Sequence, residues 1–188
     1  MKIVVAITGA SGVVIGQRLL EELSKKGVET HLIVSSGAAD VAEFEECVGV
    51  EEIKSLASSV YDEHDLTSRL ASSSFIVDAM VIVPCSMKTL SAVANGFSDN
   101  LITRAAENVL KMKWKMIVVP RDTPLSLAAI ENMRKLKLSG AIIMPPNLAY
   151  YSKPKTMSDA TDFIVGKIMD ALGIGHSLYL KWGDSDEP

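Results

Sequence analysis

Short apolar runs rich in β-branched residues alternate along this chain with longer stretches in which apolar residues recur every three or four positions. Lys2-Ile-Val-Val-Ala-Ile-Thr8 is the first run; Gly9-Ala-Ser-Gly12 follows, and Ile15, Leu19, Leu20 and Leu23 then recur opposite Gln17, Arg18, Glu21 and Glu22. The pattern predicts a strand, a tight turn and a helix closing at Lys25-Lys26-Gly27. Glu29–Ser35 reads as a second strand ending in Ser35-Ser36-Gly37, with a helix carrying Glu43, Glu45 and Glu46 behind it. The stretch 49–74 is polar and weakly periodic, a loop with a short helix. Asp78–Pro84 is a buried strand, and Cys85-Ser86 open a helix through Met87-Lys88-Thr89-Leu90 that stops near Gly96. From Ser98 to Met112 a helix presents Leu101, Ala105, Val109 and Met112 on one side and Arg104, Asn108 and Lys111 on another. Lys115–Val119 is the next strand. Thr123 can cap the following helix with Pro124 at its first position. Ala141–Met144 makes one more strand, Pro145-Pro146 begin a loop holding Tyr150-Tyr151, and Ser158 caps a last helix ending at Leu172-Gly173. The tail, Leu178-Tyr-Leu-Lys-Trp182, is too apolar to stay in water and is expected to pack on the core or on another subunit.

This βα alternation predicts one α/β domain over 1–188: a doubly wound, open parallel sheet of Rossmann or flavodoxin type in three layers, with 174–188 as a packing or oligomerisation tail. A length of 188 residues suits one domain, and the 48% apolar content, carried by aliphatics rather than aromatics, suits strands covered on both faces. A formal charge of −4 argues against a nucleic-acid partner, so anionic ligands must meet local Lys and Arg. Cys47 and Cys85 have no metal-ligand spacing and are too few for a disulfide scaffold, which suits a reducing cytoplasm. No apolar run approaches the ~18 residues of a membrane span, and Gly9 interrupts the first run before it can act as a signal peptide.

Open parallel sheets bind ligands beyond the carboxyl ends of their strands, which directs attention to Gly9–Gly12, Ser35-Ser36, Cys85–Thr89, Arg121-Asp122 and the loop reaching Tyr151. The first turn suits a phosphate at a helix start, although G-x-x-G falls short of the dinucleotide fingerprint and a merely structural βα turn is the alternative. Hydroxyls at Ser11, Ser35, Ser86 and Thr89 suit a mononucleotide better than NAD, which would want an acidic residue closing the second strand. Lys167 follows Phe163 and Ile164 on the last helix, so it either meets an anion or snorkels from a half-buried position. The Arg104–Lys111 stripe is open in the same way, between an anion site and a solvated helix face. No nucleophile motif or metal constellation is present: His31 sits inside a strand as a structural residue, and His64 and His176 lie in polar connecting segments. Cys85 reads as a small buried hydrophobe.

Thr8-Gly-Ala-Ser-Gly12, Pro84-Cys-Ser-Met-Lys-Thr-Leu90, Leu101-Ile-Thr-Arg-Ala-Ala106 with Lys111, Pro120-Arg-Asp-Thr-Pro124, Glu131-Asn-Met133, and Tyr151 with Pro154 together resemble the UbiX/Pad flavin prenyltransferases, in order from Met1 to Trp182. The resemblance implies transfer of a dimethylallyl group from dimethylallyl monophosphate to N5 and C6 of reduced FMN, without a metal. It also implies prenylated FMN as product, a UbiD-type decarboxylase as its recipient, and a dodecameric homo-oligomer. By position, Gly9, Ala10, Ser11, Ser35, Ser86, Met87, Lys88, Thr89 and Arg121 are the implied FMN contacts. Arg104, Lys111, Tyr151 and Lys167 are implied to grip the prenyl phosphate, with Trp182 lining the site. Ser11, Glu45 and Asp122 are the implied catalytic residues. Asp122 stands where the family usually has glutamate and Lys167 where arginine is frequent, which keeps the charge and loses the bidentate fork. The competing readings are an FMN-dependent decarboxylase of the phosphopantothenoylcysteine type and a non-catalytic flavin carrier.

Overall fold

Among the described residues six parallel strands make one sheet: β1 (Lys2–Ile7), β2 (Glu29–Val34), β3 (Ser59–Tyr61), β4 (Ala79–Cys85), β5 (Lys115–Pro120) and β6 (Ile142–Ile143). Side by side they run β3-β2-β1-β4-β5-β6. The computed structural model describes residues 1–45 and 49–183; Glu46, Cys47 and the tail beyond 183 lie outside the described residues. In register, Val5 of β1 stands between Leu32 of β2 and Val81 of β4, so the central strands meet apolar neighbours on both sides.

Among the described residues seven helices cover the sheet: α1 (Val13–Lys25), α2 (Ser36–Phe44), α3 (Val50–Ser55), α4 (Met87–Ala94), α5 (Leu101–Lys111), α6 (Leu127–Leu138) and α7 (Met157–Leu172). Alternation along β1 sorts them into two layers. Ile3, Val5 and Ile7 pack on Leu19, Leu20 and Leu23 of α1 and on Val165, Ile168 and Met169 of α7. Val4 and Ala6 face the other way, toward Leu90 of α4, Ile102, Ala105 and Val109 of α5 and Leu136 of α6. The three-layer, doubly wound sheet is therefore as expected. Arg18 ties the first layer together, donating from Nε to Asp162 of α7 at 2.7 Å and from Nη1 to Glu22 at 2.6 Å.

Several element boundaries differ from the sequence expectation, each for a local reason. β3 lies inside the stretch read as loop and short helix; its three residues are too few to show a period, and pairing with β2 at His31, Leu32 and Ile33 defines it. α5 starts at Leu101 rather than Ser98, because Asn100 accepts from Thr103 N while the Thr103 hydroxyl accepts from Asn100 N. α6 is capped by Ser126, which accepts from Ala129 N at 3.1 Å, so Thr123-Pro124 stays in the loop. α7 is capped by Thr156 in a reciprocal pair with Asp159, which leaves Ser158 inside the first turn. Among the described residues no helix is long and apolar enough to cross a membrane.

Candidate active site

β1 is followed in the chain by β2 on one side and flanked by β4 on the other, so strand order reverses between β1 and β4. Thr8, just beyond β1, closes this switch point. Its buried hydroxyl donates to Pro84 O at 2.8 Å and accepts from Ser86 N at 2.8 Å. Ser86 in turn caps α4: its hydroxyl accepts from Thr89 N at 3.2 Å and donates to Thr89 Oγ1 at 3.1 Å. One hydroxyl at the end of β1 thus sets the start of α4. Gly9 is needed for close packing of backbone on backbone, since a Cβ there would lie 2.9 Å from the Gly37 carbonyl at the start of α2.

The first turn differs from the phosphate cradle that its sequence suggests. Gly12 takes a left-handed conformation (φ 99°) and donates from N to Glu45 Oε1 at 2.8 Å, and Val13 N donates to Glu45 Oε2 at 3.2 Å. A carboxylate from beyond α2 therefore already satisfies the positive end of α1. The start of α2 is filled in the same manner: Ser36 N donates to Glu63 Oε1 at 2.6 Å, and Glu63 Oε2 accepts from Asn100 Nδ2 at 3.1 Å. Glu63 is nearly buried, and nothing in its polar surroundings in the sequence distinguishes it. The start of α4 carries the hydroxyls of Ser86 and Thr89 instead of a carboxylate.

Three cavities gather most of the residues singled out above. The first, about 340 Å³, is lined by Gly9, Ser35, Ser86, Met87, Lys88 and Thr89, together with Glu63. The second, about 270 Å³, joins Ser11, Arg121 and Asp122 to apolar walls from α1 and α7. Arg121 N donates to Cys85 O at 3.1 Å, tying this loop to the end of β4. The third, about 460 Å³, holds Tyr151 and Trp182, whose rings meet edge to face at 5.0 Å. Tyr151 also meets Phe163 at 5.9 Å, and Lys167 Nζ lies 5.8 Å from the Phe163 ring and 5.2 Å from the Tyr179 ring. Interaction with Tyr179 raises the Lys167 pKa above that of an ordinary lysine. Ala10 lines none of the three; its N–H donates back to Thr8 O at 2.7 Å, which shapes the turn.

Arg104 and Lys111 stand apart from Tyr151, Lys167 and Trp182 within one chain. They belong to α5, in the layer opposite α7. Arg104 donates to Ala71 O at 3.1 Å and to Glu107 at 3.0 Å, whereas Lys111 is exposed at the helix end. Asn108 does not share their exposed stripe, being buried and donating to Leu70 O at 3.3 Å. The histidines also separate: His31 is buried between Tyr61 and Glu29, while His176, expected in a polar connection, has a buried ring bonded to Asp170. Cys85 is fully buried, and burial pushes its thiol pKa up, as suits a packing residue.

Residues 1–169 match the Flavoprotein family model. The chain is 50% identical over 183 residues to flavin prenyltransferase UbiX of Methanocaldococcus jannaschii, covering 97% of this chain and 99% of that protein. It belongs to the UbiX family of flavin prenyltransferases. Within the UbiX family, the crystal structure of AnUbiX (PadA1) in complex with FMN and dimethylallyl pyrophosphate superposes with a TM-score of 0.96 at 37% identity, covering 98% of each chain. A dodecameric FMN-dependent UbiX-like decarboxylase from Escherichia coli O157:H7 superposes with a TM-score of 0.94 at 37% identity, covering 97% of this chain and 99% of that one. As a UbiX-family member the chain is a flavoprotein and an enzyme of flavin prenyl transfer.

Proposed function

We propose that this enzyme transfers a dimethylallyl group from dimethylallyl monophosphate to reduced FMN, making prenylated FMN for a UbiD-type decarboxylase in the same cytoplasm. One observation carries the reading: the chain presents two groupings suited to anions, of different character. One is the hydroxyl-rich start of α4 and the other is the Lys167 ammonium among aromatic rings. An acceptor and a donor that each carry a phosphate need two such sites.

The residues fit FMN. With Glu45 and Glu63 filling the starts of α1 and α2, a flavin phosphate is directed to the start of α4, where Ser86, Met87, Lys88 and Thr89 would hold it beside Ser35. Gly9 lines the same cavity, Ala10 shapes the turn behind it, and Arg121 would close over the ring system from the neighbouring cavity. Reduced FMN, when bound, supplies the nucleophilic N5 and C6 positions that accept the dimethylallyl group.

Ser11 and Asp122 share a cavity, so a hydroxyl and a proton acceptor would serve one side of a flavin edge that reaches it. Glu45 acts one step back, holding the turn that carries Ser11. Lys167 and the Tyr151 hydroxyl stabilise the charge that grows on the departing phosphate as the allylic C–O bond breaks, a donor set that serves without a metal. The faces of Tyr151 and Trp182 suit the developing allylic cation. Arg104 and Lys111 complete the phosphate grip from a neighbouring copy, in a homo-oligomer such as the dodecamer of the Escherichia coli relative.

Anaerobic phosphate release tests the reading. Release is expected only when reduced FMN and dimethylallyl monophosphate are both present, and Lys111→Ala should raise the KM for the prenyl phosphate while sparing FMN affinity. Release without flavin, turnover with the diphosphate alone, or equal loss of both affinities in Lys111→Ala would overturn it.

A further inference from the structure

Beyond α7 the chain turns back on that helix and fixes two rings against it. Gly173 ends α7 in the left-handed conformation (φ 81°), and His176 and Tyr179 then lie over Gly166. A Cβ on Gly166 would sit 2.6 Å from the Tyr179 ring and 2.7 Å from His176 Cε1, so only glycine admits both. Leu178 N donates to His176 Nδ1 at 3.1 Å, which makes Nε2 the protonated nitrogen and the donor to Asp170 Oδ1 at 3.1 Å. The second Asp170 oxygen accepts from the Tyr179 hydroxyl. Burial opposes ionisation of Asp170, but these two donors outweigh it and hold the carboxyl below its usual range.

Tyr179 thus gives its one proton to Asp170, and its oxygen can face a cation only as an acceptor. Lys167 is the cation beside it, with Nζ 5.2 Å from the Tyr179 ring centroid and Phe163 packed on Tyr179 at 4.9 Å, and interaction with Tyr179 raises the lysine pKa. A lysine is a point charge on a flexible stem, without the planar fork that would orient itself. Aromatic faces on two sides restrict the directions it can take.

We propose that Tyr179, anchored by Asp170 and His176, is a positioning residue that aims the Lys167 ammonium at the phosphate of the prenyl donor. The proposal rests on the assignment of Lys167 made above. It adds a tail residue that contacts no substrate and acts through Lys167.

Tyr179→Phe in the full chain tests it, because phenylalanine keeps the ring over Gly166 and beside Lys167 and removes only the hydroxyl. Without substrate, competitive acetylation read by mass spectrometry should show Lys167 about threefold more reactive relative to Lys153 and Lys155, because loss of the hydroxyl lowers its pKa. Inorganic phosphate should protect Lys167 in the wild type and protect it less in the variant. In turnover, the KM for dimethylallyl monophosphate should rise about fivefold, roughly one charge-assisted hydrogen bond's effect, with FMN affinity unchanged. Asp170→Asn should behave similarly, and the double variant should be no worse than the poorer single one. Unchanged Lys167 reactivity, equal phosphate protection in both proteins, or a KM that moves only together with FMN affinity would overturn the proposal. A wild type that fails to prenylate flavin would overturn the function above, while acetylation and phosphate protection would still decide the role of Tyr179.

Discussion

Replacing Thr8 by valine removes one hydroxyl and little else, which makes it a sharp test of how the proposed flavin cradle is held. The side chain is buried, and Oγ1 makes two bonds of 2.8 Å, one to Pro84 O and one from Ser86 N. Pro84 O keeps a partner in the valine variant, because Thr8 N also donates to it at 3.2 Å. Ser86 N has no such substitute. Two lost hydrogen bonds at about 1 kcal/mol each, with up to about 2 kcal/mol more for the orphaned donor, put the loss of stability at roughly 2–4 kcal/mol. For a domain of this size that is a fall in Tm of roughly 5–15 °C. Because Ser86 caps α4, the same change should weaken FMN binding by about tenfold or more, the equivalent of roughly 1.4 kcal/mol. Urea unfolding of the flavin-free protein at fixed subunit concentration, and FMN titration followed by flavin fluorescence, measure the two effects. Thr8→Ser, which keeps the hydroxyl, should stay within about 1 kcal/mol of wild type in stability. A valine variant that matches the wild type in both urea midpoint and FMN affinity would rule out this role of the Thr8 hydroxyl.

Glu45→Gln keeps one acceptor and loses the second together with the charge at the start of α1; stability should fall by about 1–2 kcal/mol, and an unchanged unfolding midpoint would contradict that bracing role. Burial holds the His31 pKa below the usual histidine value despite its bond to Glu29. The unfolded chain therefore takes up this proton first, and stability present above about pH 6.5 is lost as pH falls through the usual histidine range and on toward the folded pKa. Urea midpoints from pH 8 to pH 5 should fall in the wild type and fall less in His31→Gln; equal slopes would remove His31 as the cause.

The layered sheet was legible because β-branched runs and helix-period stretches repeat along the whole chain, and a parallel sheet covered on both faces has to be built from such runs. Boundaries were less so. Thr123, Ser158 and Ser98 were plausible starts, and Ser126, Thr156 and Asn100 prevailed because their side chains reach a backbone N–H three residues on. The cavities of the candidate site were legible where they follow the topological rule, at Gly9, Ser35, Ser86–Thr89 and Arg121, all just past strand ends. They were not legible where distant segments meet. No local pattern announces that Glu45 fills the start of α1, that Glu63 fills the start of α2, or that Asp170 joins His176 to Tyr179. At the first turn, the Gly12 and Val13 N–H groups expected to face a phosphate are taken by Glu45. The helical spacing of Arg104 and Lys111 likewise carried no information about the layer in which α5 packs.

The central claim is that the flavin is itself the molecule changed. Anaerobic incubation of the enzyme with reduced FMN and dimethylallyl monophosphate, followed by mass spectrometry of the released flavin, tests it most directly. The expected product is a flavin heavier by one C5H8 unit, formed in step with inorganic phosphate. A flavin of unchanged mass after complete incubation would contradict it.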